Sequence, residues 1–203
     1  MSDSSNHNET IFWPRSPLMM NVDDTALVIV DIQERLLPSI ENGERLVASV
    51  KKLIEAAIIL GVETAVTQQY PKGLGATVES LAEPLKLISN HPFADKTMFS
   101  CRECDELFDR LSRRGVSKIL LCGIETHVCI AQSALDLMTR GFEVYLSVDA
   151  VGSRKPVDHR VALRRLESAG CTLTTSEAAI FEWCVQAGSD KFKRISKLIK
   201  ESI

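Results

Sequence analysis

The sequence predicts an α/β fold in which a mainly parallel sheet lies between two helix layers. Three observations carry this. Strand-length apolar runs alternate with helix-length segments. The runs are continuously apolar, as in strands covered on both faces. Several helix-like segments end in a glycine beside the next strand, which suits a left-handed position that a Cβ resists.

Residues 1–22 read as a polar arm with Pro and Met and no periodicity, lying on the surface or on a partner subunit. Residues 23–203 read as one domain, since the chain is slightly short for two. Its first strand is expected at Ala26–Val30, followed by a helix over Gly43–Leu60 closed by Gly61 and a strand over Val62–Thr67. Residues 71–100 read as loop, with Gly73, Gly75, Pro84 and Pro92 and a short strand near Lys96–Phe99. Then come a helix over Asp105–Arg114 closed by Gly115, a strand over Lys118–Cys122, and a helix over Thr126–Arg140 closed by Gly141. A strand over Glu143–Val148, a helix over Val157–Ala169 closed by Gly170, and a strand over Cys171–Thr175 complete the alternation. Asp190–Ile203 reads as a final amphipathic helix with its lysines and arginine on the solvated side.

Lys and Arg number 24 against 27 Asp and Glu, a formal charge of −3 with no basic block. This argues against nucleic acid or an anionic membrane as partner and favours a small soluble molecule. The longest apolar runs, such as Ala26–Val30, fall far short of the roughly 20 residues that span a bilayer. Met1–Thr10 has neither a signal core nor a transit-peptide composition, so the cytoplasm is the expected compartment. The six cysteines form no regular framework and are expected as free thiols.

Ligands of open parallel sheets bind beyond the carboxyl ends of the strands, where the strand order reverses. Asp31 directly follows the first apolar run, and Cys129 lies just past the Lys118 strand, in the first turn of a helix that Thr126 could cap. A thiol there feels unpaired N–H groups and the positive dipole end, both of which favour the thiolate. Asp31 could take its proton. A carboxylate raises a neighbouring thiol, however, so a cation is wanted, and Lys96 can supply it. On this reading Cys129 is the most reactive of the six thiols.

Val30-Asp31-Ile32-Gln33, Lys96-Thr97-Met98-Phe99-Ser100 and Gly123-Ile124-Glu125-Thr126-His127-Val128-Cys129 together resemble the hydrophobic-Asp-x-Gln, lysine and Gly-x-x-Thr-x-x-Cys motifs of the isochorismatase-like cysteine hydrolases, in the same order and spacing. Val66–Gly75 and the tail from Phe192 to Lys200 look like the isochorismatase-domain-containing branch. The resemblance implies a three-layer Rossmann-like fold with a six-stranded parallel sheet. It implies Asp31 as general base, Lys96 as its electrostatic partner and Cys129 as a nucleophile that forms a thioester. It implies a cis peptide between Ile124 and Glu125, and an oxyanion hole from the backbone N–H groups of Glu125 and Cys129. It also implies a homo-oligomer, a dimer or larger. Candidate pocket residues are Gln33, Gln69, Tyr70, Phe99 and Thr126.

Two departures bear on the substrate. Relatives that deaminate nicotinamide carry Asp-x-His after the second strand, whereas here Gln68-Gln69-Tyr70 stands, so neither a metal nor another cofactor is expected. The namesake vinyl-ether hydrolases lack the cysteine, so Cys129 favours cleavage of an amide, ureide or carbamoyl bond. The rivals are the vinyl-ether reaction, a catalytically idle oligomeric scaffold, and a redox protein using Cys101 and Cys104. His127 lies two residues from Cys129 and so points away from it on a helix. Cys101 and Cys104 read as surface or partly buried thiols, His91 as a loop residue, His159 as a residue on the outer face of its helix, and Phe181 and Trp183 as packing residues.

Overall fold

The structure, a computed structural model, describes residues 13–88 and 93–200. Residues 1–12, 201–203 and 89–92 lie outside it, and with them the expectation for His91. Six strands form one sheet: β1 (Thr25–Val30), β2 (Glu63–Gln69), β3 (Phe93–Lys96), β4 (Lys118–Ile124), β5 (Glu143–Gly152) and β6 (Thr172–Thr174), all pairings parallel. The helices are α1 (Gly43–Leu60), α2 (Pro71–Leu74), α3 (Glu79–Leu85), α4 (Asp105–Arg113), α5 (Ala131–Thr139), α6 (Pro156–Ala169), α7 (Ser176–Cys184) and α8 (Asp190–Lys200).

The strand order is β3-β2-β1-β4-β5-β6. The chain steps outward from β1 to β3, crosses back to β4 and steps outward again to β6. Right-handed crossovers then put the helices of the two halves on opposite faces. Leu27, Ile29, Leu120 and Cys122 accordingly face a core with residues of α1, α3, α7 and α8, whereas Ala26, Val28, Val30, Ile119 and Leu121 face one with residues of α4, α5 and α6. Every residue of β1 and β4 is buried, which is why neither strand shows polar alternation. Between these two strands the order reverses.

Gly61, Gly115, Gly141 and Gly170 all take positive φ at helix ends. Gly123 serves a different end. Its φ is 125°, and an added Cβ would lie 2.0 Å from the carbonyl oxygen of Val30. Only glycine lets β4 come this close to the residue before Asp31.

Several elements depart from the sequence reading. The short strand is Phe93–Lys96, so Lys96 ends it and pairs with Gln69. The backbone N–H groups of Thr97 and Met98 donate to Glu103 instead of extending the ladder. Residues 71–100, read as loop, contain α2 and α3. Pro71 opens α2, where a missing N–H does no harm, and Pro84 falls near the end of α3. α7 went unread. Thr175 caps it, its Oγ1 accepting from the Ala178 N–H. The helix expected over Thr126–Arg140 starts with a π-helical turn, Thr126–Ile130, that leads into α5. Residues 13–22 pack against the same chain: Arg15 donates to the Glu182 carbonyl at 2.7 Å, the Met20 N–H donates to the Glu182 carboxylate at 2.8 Å, and Met20 is buried. Trp183 lies in the core, while Phe181 is 41% exposed.

Candidate active site

Asp31 leaves β1 with a φ of 56°, and its backbone N–H donates to the Thr67 carbonyl at 3.1 Å. Its carboxylate is fully buried and held at both oxygens. Thr67, on β2, donates to Oδ1 at 2.8 Å, and Lys96, at the end of β3, donates to Oδ2 at 2.6 Å. Cys129 lies in the π-helical turn after β4, and its thiol donates to Asp31. The residues singled out on three separate segments of sequence therefore meet at the carboxyl edge of the sheet, beside the switch between β1 and β4.

Lys96 is 1% exposed, so its ammonium needs protein acceptors. Besides Asp31 it donates to Gln69 Oε1 at 2.7 Å and to the carbonyls of Phe99 and Met98 at 3.0 and 3.3 Å. Burial pulls its pKa down, but the charges of Asp31, Cys129 and Cys101 and the bond to Asp31 outweigh burial and raise it. Lys96 thus stays protonated.

Cys129 behaves otherwise than the sequence reading expects. Burial pushes its thiol up, the Asp31 carboxylate pushes it further, and Lys96 opposes without overcoming them. At rest the sulfur holds its proton. Cys129 is therefore not the thiol most reactive toward an external reagent: Cys184 is the one cysteine of the six that is not buried. Burial also raises Cys101 to about 11 and Cys104 to about 12. Both are buried rather than at the surface, because the 3-10 turn at Cys101–Glu103 tucks under α5 and the Ser133 hydroxyl accepts the Cys101 N–H at 2.9 Å.

The candidate pocket residues divide. Gln33 is buried and its amide is fully engaged: Nε2 donates to the Gln69 and Gly75 carbonyls, and Oε1 accepts the Gln69 N–H. It is a clasp behind the site rather than a lining residue. Gln69 is buried too, accepting from Lys96 and donating to the Thr97 carbonyl at 2.7 Å. Tyr70 and Phe99 are about half exposed on segments next to Lys96's partners. Thr126 is the first helical residue, not the cap; Glu125 holds that position, and Thr126 Oγ1 instead meets His159 Nδ1 at 3.0 Å. His159 is accordingly not on an outer face. It is half-buried and lines a cavity of about 470 Å³ with Glu41, Arg45, Ser153 and Arg160. His127 turns from Cys129 toward Ser153, its Nδ1 lying 3.0 Å from Ser153 Oγ.

The peptide bond between Ile124 and Glu125 is cis. The Glu125 carboxylate accepts the Arg154 backbone N–H at 2.9 Å, which directs this side chain away from Asp31 and toward the segment before α6. Sequence reasoning missed Thr67, Cys101 and Glu103. Thr67 was findable, as a hydroxyl in an apolar strand one register step from Asp31; the Thr67 pairing is with Val30. Among the described residues, no group of three or more His, Cys, Asp and Glu could hold a metal ion, and no helix is long and apolar enough to cross a membrane.

Known proteins resemble this chain along most of its length. Residues 25–178 match the family model described as isochorismatase domain. Mouse (Mus musculus) isochorismatase domain-containing protein 2A is 38% identical over 187 residues, covering 89% of this chain and 85% of that protein. A solved structure described as MAR1 ribonuclease from Caenorhabditis elegans is 42% identical, with a TM-score of 0.83 over 90% of this chain and 92% of that one. An Escherichia coli protein described as an octameric hydrolase of unknown specificity shares the fold, with a TM-score of 0.85 over 94% and 93% of the two chains at 21% identity. The match of the family model, together with relatives this similar, shows that the chain belongs to the isochorismatase-like hydrolase family.

Proposed function

We propose that the protein hydrolyses a C–N bond of a small molecule, in an amide, ureide or carbamoyl group, through a thioester on Cys129. The observation that carries this reading is a neutral thiol donating to a carboxylate that Thr67 and Lys96 hold in place. Asp31 takes the thiol proton as Sγ attacks the carbonyl carbon, and the carbonyl electron pair moves to oxygen. Backbone N–H groups of Glu125 and Cys129 receive that oxyanion in this reading. Collapse restores the carbonyl and breaks the C–N bond, and Asp31 returns the proton to the departing amine. Water then gives a proton to Asp31, its oxygen attacks the thioester, and Cys129 leaves as a thiolate that regains the proton. Lys96 compensates the carboxylate when charge forms on sulfur.

The test is ammonia or amine release from a panel of amides, ureides and carbamoyl compounds, with Cys129→Ala beside the natural protein. A mass increase on Cys129 equal to the acyl fragment supports the thioester. Activity that survives in Cys129→Ala refutes it. The panel includes a vinyl ether and an RNA oligonucleotide, because the nematode structure is described as a ribonuclease. The excess of acidic over basic side chains here disfavours RNA. A homo-oligomer belongs to the same proposal. The exposed side chains of Trp13, Leu18, Phe181 and Val185 offer apolar surface for a subunit contact, and the Escherichia coli neighbour is described as octameric. Light scattering that shows a monomer at micromolar concentration overturns this part.

A further inference from the structure

We propose that Glu103 is a positioning residue for Lys96, its carboxylate fixing the turn after β3 so that the turn's carbonyls hold the ammonium against Asp31. The inference rests on the assignment of Lys96 and Cys129 to one site and adds a residue outside all three motifs of that site. The geometry is specific. Glu103 accepts the Thr97 N–H at 2.6 Å, the Met98 N–H at 2.7 Å and the Thr97 hydroxyl at 3.0 Å. The next two carbonyls along the turn, those of Met98 and Phe99, accept from Lys96 Nζ. One exposed carboxylate therefore binds the outside of a turn whose inside coordinates a buried cation.

The consequence follows from counting. A Lys ammonium has three N–H donors. Here Asp31 and Gln69 take two, and the third depends on the turn. Were the turn to relax outward, Lys96 would be left with an unsatisfied donor in a site closed to water, and would follow the carbonyls or lose charge. Either way less positive potential reaches Asp31 and Cys129. The groups facing Lys96 are Asp31 after β1, Cys129 in the π-helical turn, Cys101 in the 3-10 turn and Glu103 itself, so no other described cation shares the task. The backbone N–H groups of Met98 and Thr97 hold Glu103 below the usual carboxylate range, which keeps it ionised as an acceptor through neutral pH.

The experiment reads Cys129 directly and needs no substrate. Iodoacetamide alkylation of Cys129 is followed by peptide mapping from neutral to alkaline pH in the natural protein, Glu103→Gln, Glu103→Asp and Lys96→Met, with Cys184 and Cys101 as internal references. Lys96 favours the thiolate, so weakening its hold slows alkylation. Glu103→Gln should slow Cys129 by about three- to tenfold at a given pH, in the direction of Lys96→Met, with Cys184 unchanged; a factor of ten is one pKa unit. Glu103→Asp, which keeps the charge, should recover part of the rate. A variant that merely unfolds would alkylate faster at Cys129 and Cys101 together, the opposite signature. An unchanged Cys129 rate in Glu103→Gln, or faster labelling of both buried thiols, overturns the proposal. Catalysis is scored separately: if Glu103→Gln shifts Cys129 while Cys129→Ala still turns over substrate, the hydrolytic reading fails and the positioning role stands.

Discussion

Replacing Gly123 with alanine tests whether the contact between β1 and β4 sets the active geometry. An alanine Cβ would lie 2.0 Å from the Val30 carbonyl oxygen and 2.7 Å from its nitrogen, both of them backbone atoms of a fully buried strand. Relieving the first contact to 3.0 Å, below which real Cβ atoms do not sit, requires the strands to part by about 1 Å. The residue that moves is the one before Asp31. Overpacking of this kind costs about 1–3 kcal/mol, and a left-handed backbone adds roughly 1–2 kcal/mol for a residue with a Cβ. Gly123→Ala should therefore lose about 2–5 kcal/mol in urea unfolding followed by circular dichroism, a large part of the 5–15 kcal/mol typical of a domain. In whatever fraction folds, a displacement near 1 Å at the general base should lower turnover by about 100-fold. Gly141→Ala is the control. Its φ of 98° carries the backbone term, but nothing lies within 4 Å of the added carbon. It should lose only about 1–2 kcal/mol and keep its activity. Equal stability losses in the two variants, with activity intact in both, would refute the assignment of Gly123 to the close approach.

Other predictions concern the site itself. Lys96→Met leaves the Asp31 carboxylate buried without its cation, so it should cost about 3–5 kcal/mol in the same unfolding assay; a loss below about 1 kcal/mol would show that the pair is solvated. Asp31→Asn and Lys96→Met should each cripple turnover, and the double variant should fall far short of the product of the two losses, because groups that act as a unit are non-additive; multiplicative losses would separate them. Asp31→Asn should also speed alkylation of Cys129 at a given pH while abolishing turnover, because the carboxylate is one of the two largest influences that raise the thiol; slower alkylation would contradict that sign. Activity should be unaffected by a chelator, and loss of turnover that added zinc restores would overturn a metal-free mechanism.

What the sequence made legible follows from how local each determinant is. The continuous apolar runs of β1 and β4 and the helix-closing glycines record burial and backbone conformation one residue at a time, so the architecture could be read from them. The trio was legible for a different reason: a parallel sheet exposes whatever follows each strand, and Asp31, Lys96 and Cys129 all follow or end one. What escaped depends on contacts between distant segments. α7 shows little periodic signal because Ala179, Ile180 and Trp183 are buried while Phe181 is exposed between them. Gln33 looked like a pocket residue because it adjoins Asp31, but its amide is engaged by Gln69 and Gly75, some forty residues further along. Tyr70 and Phe99 flank the site without any contact that identifies a substrate.

The state of the thiol shows how burial changes a chemical argument that is sound for exposed groups. From sequence alone, a cysteine in a first helical turn near a lysine reads as a thiolate, since both neighbours favour the anion. The structure adds two facts the sequence does not carry. Cys129 is 5% exposed, so its anion forfeits solvation, and Asp31 stands on the same side of it as Lys96. Lys96 is committed to Asp31 at 2.6 Å, and a cation neutralised at that distance has little field left for sulfur. The proton therefore stays on the thiol until something improves the bargain for the anion. A substrate carbonyl can do so, because attack turns the sulfur charge into a bond and moves negative charge to an oxygen facing backbone donors. The same arrangement explains why a site can hold three other buried thiols, Cys101, Cys104 and Cys122, in the surrounding core without their competing: only Cys129 has a carboxylate positioned to accept its proton.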